Sequence, residues 1–270
     1  MEFPVYLYLG SWRIHPHVLF ESLGYFLGFR LYLWTRRPSE MTKLMSLQIL
    51  AGTILGAALG AKLLFWFENP LATWEQLRQF HFLWGGKTIV GGLLGGLIGV
   101  ELTKRWIGWK SSTGDDFVYP LMLGLGLGRI GCFLTGLDDH TYGTATTWIT
   151  GIDFGDGIMR HPTQLYEIAF LMILAICLIP LYRQSRLMSV LSTEVQSKAP
   201  YTSYVSGRMF QWFMASYLLF RFLIEYIKPT LHPYWDHNNI QLACLAGLVY
   251  YSWIMWGRGR KASSSIKAIG

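Results

Sequence analysis

The sequence predicts an all-α fold, a polytopic membrane bundle of about seven transmembrane helices, and three observations lead there. Of 270 residues, 52% are hydrophobic and only 14% are charged, whereas a soluble domain carries about a quarter charged residues. Apolar runs close to the ~20 residues that cross a bilayer recur near 17–35, 46–68, 86–107, 116–137, 161–182, 208–227 and 239–257. Lys and Arg outside these runs alternate in density. Fourteen fall near 36–45, 104–115, 183–208 and in the tail 257–270, against five in the alternate set, Arg13, Arg78, Lys87, Arg160 and Lys228. Positive charge is retained on the cytoplasmic side, so the N-terminus is expected outside and the C-terminus in the cytoplasm. An odd number of spans agrees. The chain reads as a single membrane-embedded domain over 1–270.

The formal charge of +7 sits in short loops between apolar segments. That pattern excludes a nucleic-acid partner and favours anionic lipid. Cys132, Cys177 and Cys244 lie inside apolar runs and offer neither a disulfide framework nor metal-ligand spacing. Buried, inert thiols are expected. Residues 1–16 lack the order of charged start, apolar core and cleavage site that marks a signal peptide.

The elements follow in chain order. His15-Pro16 opens the first span, with Pro suited to a helix's first turn. The external segment 69–85, with Trp74, Phe80, Phe82 and Trp84, reads as an interfacial stretch. Gly52, Gly56 and Gly60 repeat every four residues, as do Gly91, Gly95 and Gly99. Such stripes let helix backbones approach closely in lipid. Gly124, Gly126 and Gly128 form G-x-G-x-G, but mid-span and without the strand–turn–helix setting of a dinucleotide site. The segment 138–160, with Asp138, Asp139, Asp153 and Asp156, is the longest external loop and the candidate substrate-facing element. Segment 183–207 is polar and reads as a cytoplasmic loop. One motif echoes another: His15 to Glu21 and His161 to Glu167 both read H-P-x-x-L-aromatic-E or its near equivalent, His-Pro-x-x-Leu-Phe-Glu and His-Pro-x-x-Leu-Tyr-Glu. Glu six residues beyond His lies ~9 Å further along a helix, which puts a carboxylate just below the outer interface in each.

Ionisable groups inside a span are functional candidates by default. They are Glu21, Arg30, Lys62, Arg129, Glu167, Arg221 and Glu225. Arg30 and Lys62 are placed to snorkel. Arg221 and Glu225, four apart, share a helix face; they form either a self-satisfied pair or a phosphate grip oriented by Glu225. Arg129 has no acidic neighbour within four residues and needs an anion from another helix or a ligand. Glu21, Arg129, Glu167 and Arg221 all fall in or near the outer half, which predicts a polar cavity shared by Arg129 and Arg221. His17 shares a face with Glu21. Asp138, Asp139, His140, His161, His232, Asp236 and His237 are candidates for its rim. Zinc is conceivable there, but the spacing matches no standard motif, so interfacial hydrogen bonding is expected, with no metal and no cofactor.

Gly128-Arg129-Ile130-Gly131, then His161-Pro162-Thr163-Gln164-Leu165-Tyr166-Glu167, and later Arg221-Phe222-Leu223-Ile224-Glu225 resemble the motifs of bacterial prolipoprotein diacylglyceryl transferases. The run Gly91–Gly99 is similar to that family's H-G-G-L-I-G segment. The resemblance covers roughly residues 15–250. It implies a phospholipid donor, phosphatidylglycerol, whose diacylglyceryl group passes to a lipoprotein-precursor thiol at the bacterial cytoplasmic membrane. It implies substrate-binding roles for Arg129, Arg221, Glu225, Glu167, Gln164 and Tyr166. The chain departs from the family at Val90, where a histidine is expected, at Cys132 for an asparagine, at Leu137 for a glutamate, and at Glu21 for a tyrosine. The base must then come from elsewhere, with His17 and Glu21 first and His161, Asp139 and His140 in reserve. The alternatives are a non-catalytic lipid- or lipoprotein-binding protein that kept the pocket and a transporter, the latter disfavoured because the charges cluster on one side.

Overall fold

The structure, a computed structural model, describes residues 3–37, 40–76, 85–194 and 207–267. It is mostly helical: α1 Pro16–Thr35, α2 Lys43–Trp66, α3 Pro70–Gln76, α4 Ile89–Ile107, α5 Val118–Thr135, α6 Thr163–Cys177, α7 Ile179–Glu194, α8 Arg208–Ile224 and α9 Asn239–Lys267. Two short antiparallel ribbons accompany them, β1 Leu7–Leu9 with β2 Trp12–Ile14, and β3 Ile152–Asp153 with β4 Met159–Arg160. Three stretches among the described residues are long and apolar enough to cross a membrane, Lys43–Trp66, Gly114–Asp139 and Asn239–Gly257. A fourth arises if α6 and the first part of α7 form one span bent by 41°. Aromatic and aliphatic side chains such as Phe26, Trp34, Ile54, Leu59, Ile173 and Trp253 stay exposed, as expected of surfaces that meet lipid rather than water.

Within what the sequence presents as one membrane-embedded domain, the chain forms two compact units. The first comprises residues 1–38, 112–213 and 226–229. Its frame is α1 against α5. Added Cβ atoms at Gly24 and Gly28 would stand 3.0 and 3.1 Å from the carbonyl oxygens of Gly124 and Pro120, so the two backbones nearly touch. Gly131 continues that seam, with Phe20 Cβ and the backbone of His17 packed where its side chain would be. Helix α5 stops at Gly136, which takes φ 73°, and a single 3₁₀ turn, Gly136–Asp139, follows. Phe3 packs on Phe133 and Phe154. The loop of residues 138–160 is ordered by backbone bonds from Thr144 to Ile227 and from Thr146 to Met159. Helix α7 runs on to Glu194, into the segment read from sequence as a loop. Its Arg, Gln, Leu and Met residues favour helix, and Arg186 ties it to Tyr182 and to the Thr35 carbonyl.

The second unit comprises residues 39–111, 214–225 and 230–270. Its frame is α2 against α4, joined by the two glycine stripes. Cβ atoms at Gly56, Gly60, Gly95 and Gly99 would each lie 2.1–2.3 Å from a carbonyl oxygen of the opposite helix. The close packing expected of those stripes is therefore present. Thr42 and Thr88 cap the two helices by accepting from Met45 and Gly91. Gly108, at φ 73°, closes α4. Asn238 and Gln241 start α9 with reciprocal side-chain-to-backbone bonds of 2.7 and 2.9 Å, a capping box with amides in place of hydroxyl and acid.

Candidate active site

The charged groups of the first unit converge where α1, α5, α6 and the turn after α5 meet. Arg129 in α5 and Glu167 in α6 are both buried, and Nε stands 2.9 Å from Oε2. The anion that Arg129 lacked among its sequence neighbours is thus Glu167, 38 positions on. An ion pair in so dry a place is held by geometry, because removing either partner leaves a buried charge. One helical step along, Arg129 Nη1 points at Cys132 Sγ, at 3.9 Å.

Cys132 in turn faces His17 Nδ1 at 3.9 Å. The same nitrogen lies 2.8 Å from Asp139 Oδ1, and His17 Nε2 lies 3.3 Å from Glu21 Oε2. The arrangement extends at both ends. Tyr25 Oη donates to Glu21 Oε1 at 3.0 Å. Thr141 Oγ1 donates to Asp139 Oδ2 at 2.6 Å and accepts from Gln164 Nε2 at 3.0 Å. Thr163 fixes the same turn by donating to the Thr141 carbonyl. A continuous polar chain therefore runs from Tyr25 on α1 to Gln164 on α6. Gln164 Oε1 is buried with no hydrogen-bond partner, an acceptor positioned to take a donor from a ligand or water.

Two of the reserve candidates are held differently. His161 Nδ1 meets Tyr166 Oη at 3.1 Å, and that hydroxyl bonds Thr150 Oγ1 at 2.6 Å. His161 also packs edge-on to Trp148. His140 is exposed, in left-handed backbone that ends the 3₁₀ turn. The two echoing motifs also diverge. Pro16 occupies the first turn of α1, whereas Pro162 is the residue before α6; Glu21 is partly exposed and Glu167 fully enclosed.

Arg221 and Glu225 belong to the second unit and form the expected i,i+4 pair. Glu225 is 0% exposed and its second oxygen accepts from Asn238 Nδ2 at 3.1 Å. Asn238 also donates to Thr230 at 3.0 Å. Lys62 donates to the Gly86 carbonyl at 2.9 Å, the satisfied role expected of a snorkelling lysine, and Arg30 is exposed. Val90 is buried, and its side chain has no titratable group where a histidine was expected. Sequence reasoning missed Cys132, Thr141, Tyr25 and Asn238. Two of them carried a signal: Tyr25 lies four residues beyond Glu21, and Cys132 stands where the resembled family has an asparagine.

A family model described as prolipoprotein diacylglyceryl transferase matches residues 4–257. The chain belongs to that family. Among curated relatives, a phosphatidylglycerol–prolipoprotein diacylglyceryl transferase of Glaesserella parasuis serovar 5 is 30% identical over 234 residues, covering 83% of this chain and 79% of that protein. The protein of the same description from Francisella tularensis subsp. novicida is 34% identical over 182 residues, 62% of this chain and 64% of its own length. The Francisella match thus spans just under two thirds of the relative. Both names are those of transferases, so the chain is a member of an enzyme family. The diacylglyceryl transferase family match contains every residue of the Tyr25–Gln164 chain and both buried Arg–Glu pairs.

Proposed function

We propose that the protein transfers the diacylglyceryl group of phosphatidylglycerol to the cysteine thiol of a prolipoprotein. The observation that carries this is the buried Arg129–Glu167 pair, joined through Cys132 to the His17–Asp139–Glu21 group, in a chain of this family. In the reaction a thiolate attacks the glyceryl carbon next to the phosphate. A C–S bond forms, the C–O bond breaks, and the electron pair leaves on the phosphate of glycerol phosphate. Arg129 is assigned to that developing negative charge. Its planar guanidinium carries a permanent charge and a fork of donors suited to phosphate, and Glu167 fixes its orientation. A preorganised cation in a water-poor site acts strongly on a leaving anion. Gln164 and Tyr166, on the same first turns of α6 as Glu167, are assigned to the lipid's polar region. Arg221 with Glu225 is assigned to shaping its own unit for lipid. The His17 group is assigned to the acceptor thiol, which must lose a proton before it attacks.

We also assign the protein seven spans, with an external N-terminus and cytoplasmic C-terminus, as a multi-pass protein of the bacterial cytoplasmic (inner) membrane. The alternation of Lys and Arg supports this orientation, and each of the seven apolar runs holds a helix of at least 15 residues. The purified protein, given phosphatidylglycerol labelled in its acyl chains and a prolipoprotein peptide with one cysteine, is expected to move label into the peptide and to release glycerol phosphate. Lipid binding without label transfer would refute the catalytic reading.

A further inference from the structure

We propose that His17 Nδ1, Cys132 Sγ and the Asp139 carboxylate bind a zinc-type divalent ion, and that its fourth position takes the acceptor's thiol as a thiolate. The second clause rests on the transferase reading above; the first does not.

Three different ligand atoms, from α1, α5 and the turn after α5, lie within 4.8 Å of one another. Sγ to Nδ1 is 3.9 Å and Nδ1 to Oδ1 is 2.8 Å. Bonds of about 2.0–2.3 Å in a tetrahedron set neighbouring donor atoms roughly 3.3–3.8 Å apart. The two separations bracket that range, one about 0.1 Å above it and the other about 0.5 Å below it, and all three ligand atoms lie within 4.8 Å of one another. Thiolate, imidazole and carboxylate together suit zinc, whereas calcium and magnesium want oxygen throughout.

The second observation is what holds the far side of each ligand. A metal-binding His commonly gives its other ring nitrogen's proton to a carboxylate, and a ligating carboxylate is itself hydrogen-bonded. His17 Nε2 faces Glu21 Oε2, whose other oxygen is held by Tyr25. Asp139 Oδ2 accepts from Thr141, which is held by Gln164. Arg129 stands at 3.9 Å from Sγ, and a cation there favours the thiolate. The inner atoms Nδ1, Sγ and Oδ1 thus converge while the outer ones are tied back. Gly131 makes the meeting possible, since α1 packs where its side chain would stand. His17 is 30% exposed and Asp139 9%, so the cluster lies at the edge of the buried region rather than inside it.

Three protein ligands and an open position are the pattern of a catalytic zinc site, and a thiol bound to such an ion is deprotonated. The acceptor thiol displaces bound water and releases its proton to solvent. The metal-held sulfur then attacks the glyceryl carbon, and the C–O electron pair departs on the phosphate at Arg129. Nothing is oxidised or reduced. The chain thereby activates its acceptor without a base at Val90.

The test uses the full chain in detergent micelles, its affinity tag removed, stripped with chelator and titrated with Co²⁺. The expected result is one ion per chain, with a thiolate-to-cobalt charge-transfer band that disappears in both Cys132→Ser and Cys132→Ala. Asp139→Asn weakens binding at least about tenfold, and Glu21→Gln weakens it by about 10- to 100-fold. Absent uptake, or a band that survives both cysteine substitutions, overturns the metal site. Label transfer from phosphatidylglycerol that is lost on stripping and returns with Zn²⁺ supports the thiolate role. Full transfer by verified metal-free protein overturns that role and leaves the transferase reading standing. Stoichiometric Co²⁺ binding with no transfer under any loading overturns the transferase reading and leaves the metal site standing.

Discussion

Among the described residues each of the two units buries an Arg–Glu pair, and the two pairs are built differently. In the second unit the pair is local: Arg221 and Glu225 sit four apart, and Asn238 closes over Glu225 while capping α9. These contacts all fall within residues 221–241. In the first unit Arg129 and Glu167 are 38 positions apart, on different helices, and the network continues through Cys132 to a partly exposed His17 and Glu21. The glycines repeat the contrast. In the second unit added Cβ atoms on the α2–α4 seam would stand 2.1–2.3 Å from facing carbonyl oxygens, whereas at Gly24 and Gly28 on the α1–α5 seam of the first unit the same distances are 3.0 and 3.1 Å, and Gly126 and Gly128 lie off that seam with room for a Cβ.

The largest effect is expected from breaking the zipper. Gly56→Leu or Gly95→Leu drives a side chain into a carbonyl oxygen 2.2–2.3 Å from its Cβ, and overpacking of this kind is strongly destabilising. Loss of the folded, monodisperse protein from detergent extracts is expected, whereas Gly126→Ala is expected to purify like the wild type. A normal melting temperature in Gly95→Leu would remove the zipper from the account.

The buried pairs come next. Arg221→Gln strands Glu225 and is expected to destabilise by about 3–5 kcal/mol, read as a fall in thermal midpoint. The double variant Arg221→Gln/Glu225→Gln should recover much of that. For Arg129→Gln, the double variant with Glu167→Gln should likewise recover stability but not turnover, which stays down about 10²–10³-fold, the typical loss for an anion-stabilising donor. Equal recovery of turnover in both double variants would erase the distinction between the units.

Glu21→Gln separates two roles at the open end of the network. As an orienting partner of His17 it is expected to lower turnover about 10- to 100-fold while binding of donor phosphatidylglycerol persists. Weakened donor binding at unchanged turnover per bound lipid would make Glu21 a counter-ion instead.

The smallest effect belongs to the external loop. Asp153 accepts backbone N–H bonds from Gly155, Gly157 and Asp156, which hold its carboxyl below the ordinary range. A lowered folded-state value means the stabilisation is present above the usual carboxylate value and fades as pH falls through the lowered one. Amide exchange at Gly155–Gly157 should therefore accelerate, relative to its intrinsic rate, only in acid. Asp153→Ala should show the faster exchange already at neutral pH.

Much of this was legible in the sequence because it is periodic or local. The apolar runs mark the longer helices, the four-residue glycine spacing marks the α2–α4 seam, and the i,i+4 spacing gives both Arg221–Glu225 and His17–Glu21. What was illegible depends on distant contacts. Nothing in the spacing of Arg129 and Glu167 announces that they pair. Cys132 reads as an inert apolar thiol until the seam at Gly131 brings His17 beside it. The polar run after Tyr182 reads as loop by composition, yet it is helical to Glu194, and Arg186 within it bonds the Thr35 carbonyl of α1.

The central claim is that the Arg129 network is the reaction centre of a diacylglyceryl transferase. Single-turnover transfer of acyl-labelled phosphatidylglycerol to a one-cysteine prolipoprotein peptide tests it most directly, with wild type compared against the Arg129→Gln/Glu167→Gln variant at matched folded concentration. The account predicts label in a thioether-linked peptide with matching release of glycerol phosphate, and a rate about 10²–10³-fold lower in the variant. Wild-type rates in that variant, or no transfer by the wild type with both substrates bound, would contradict it.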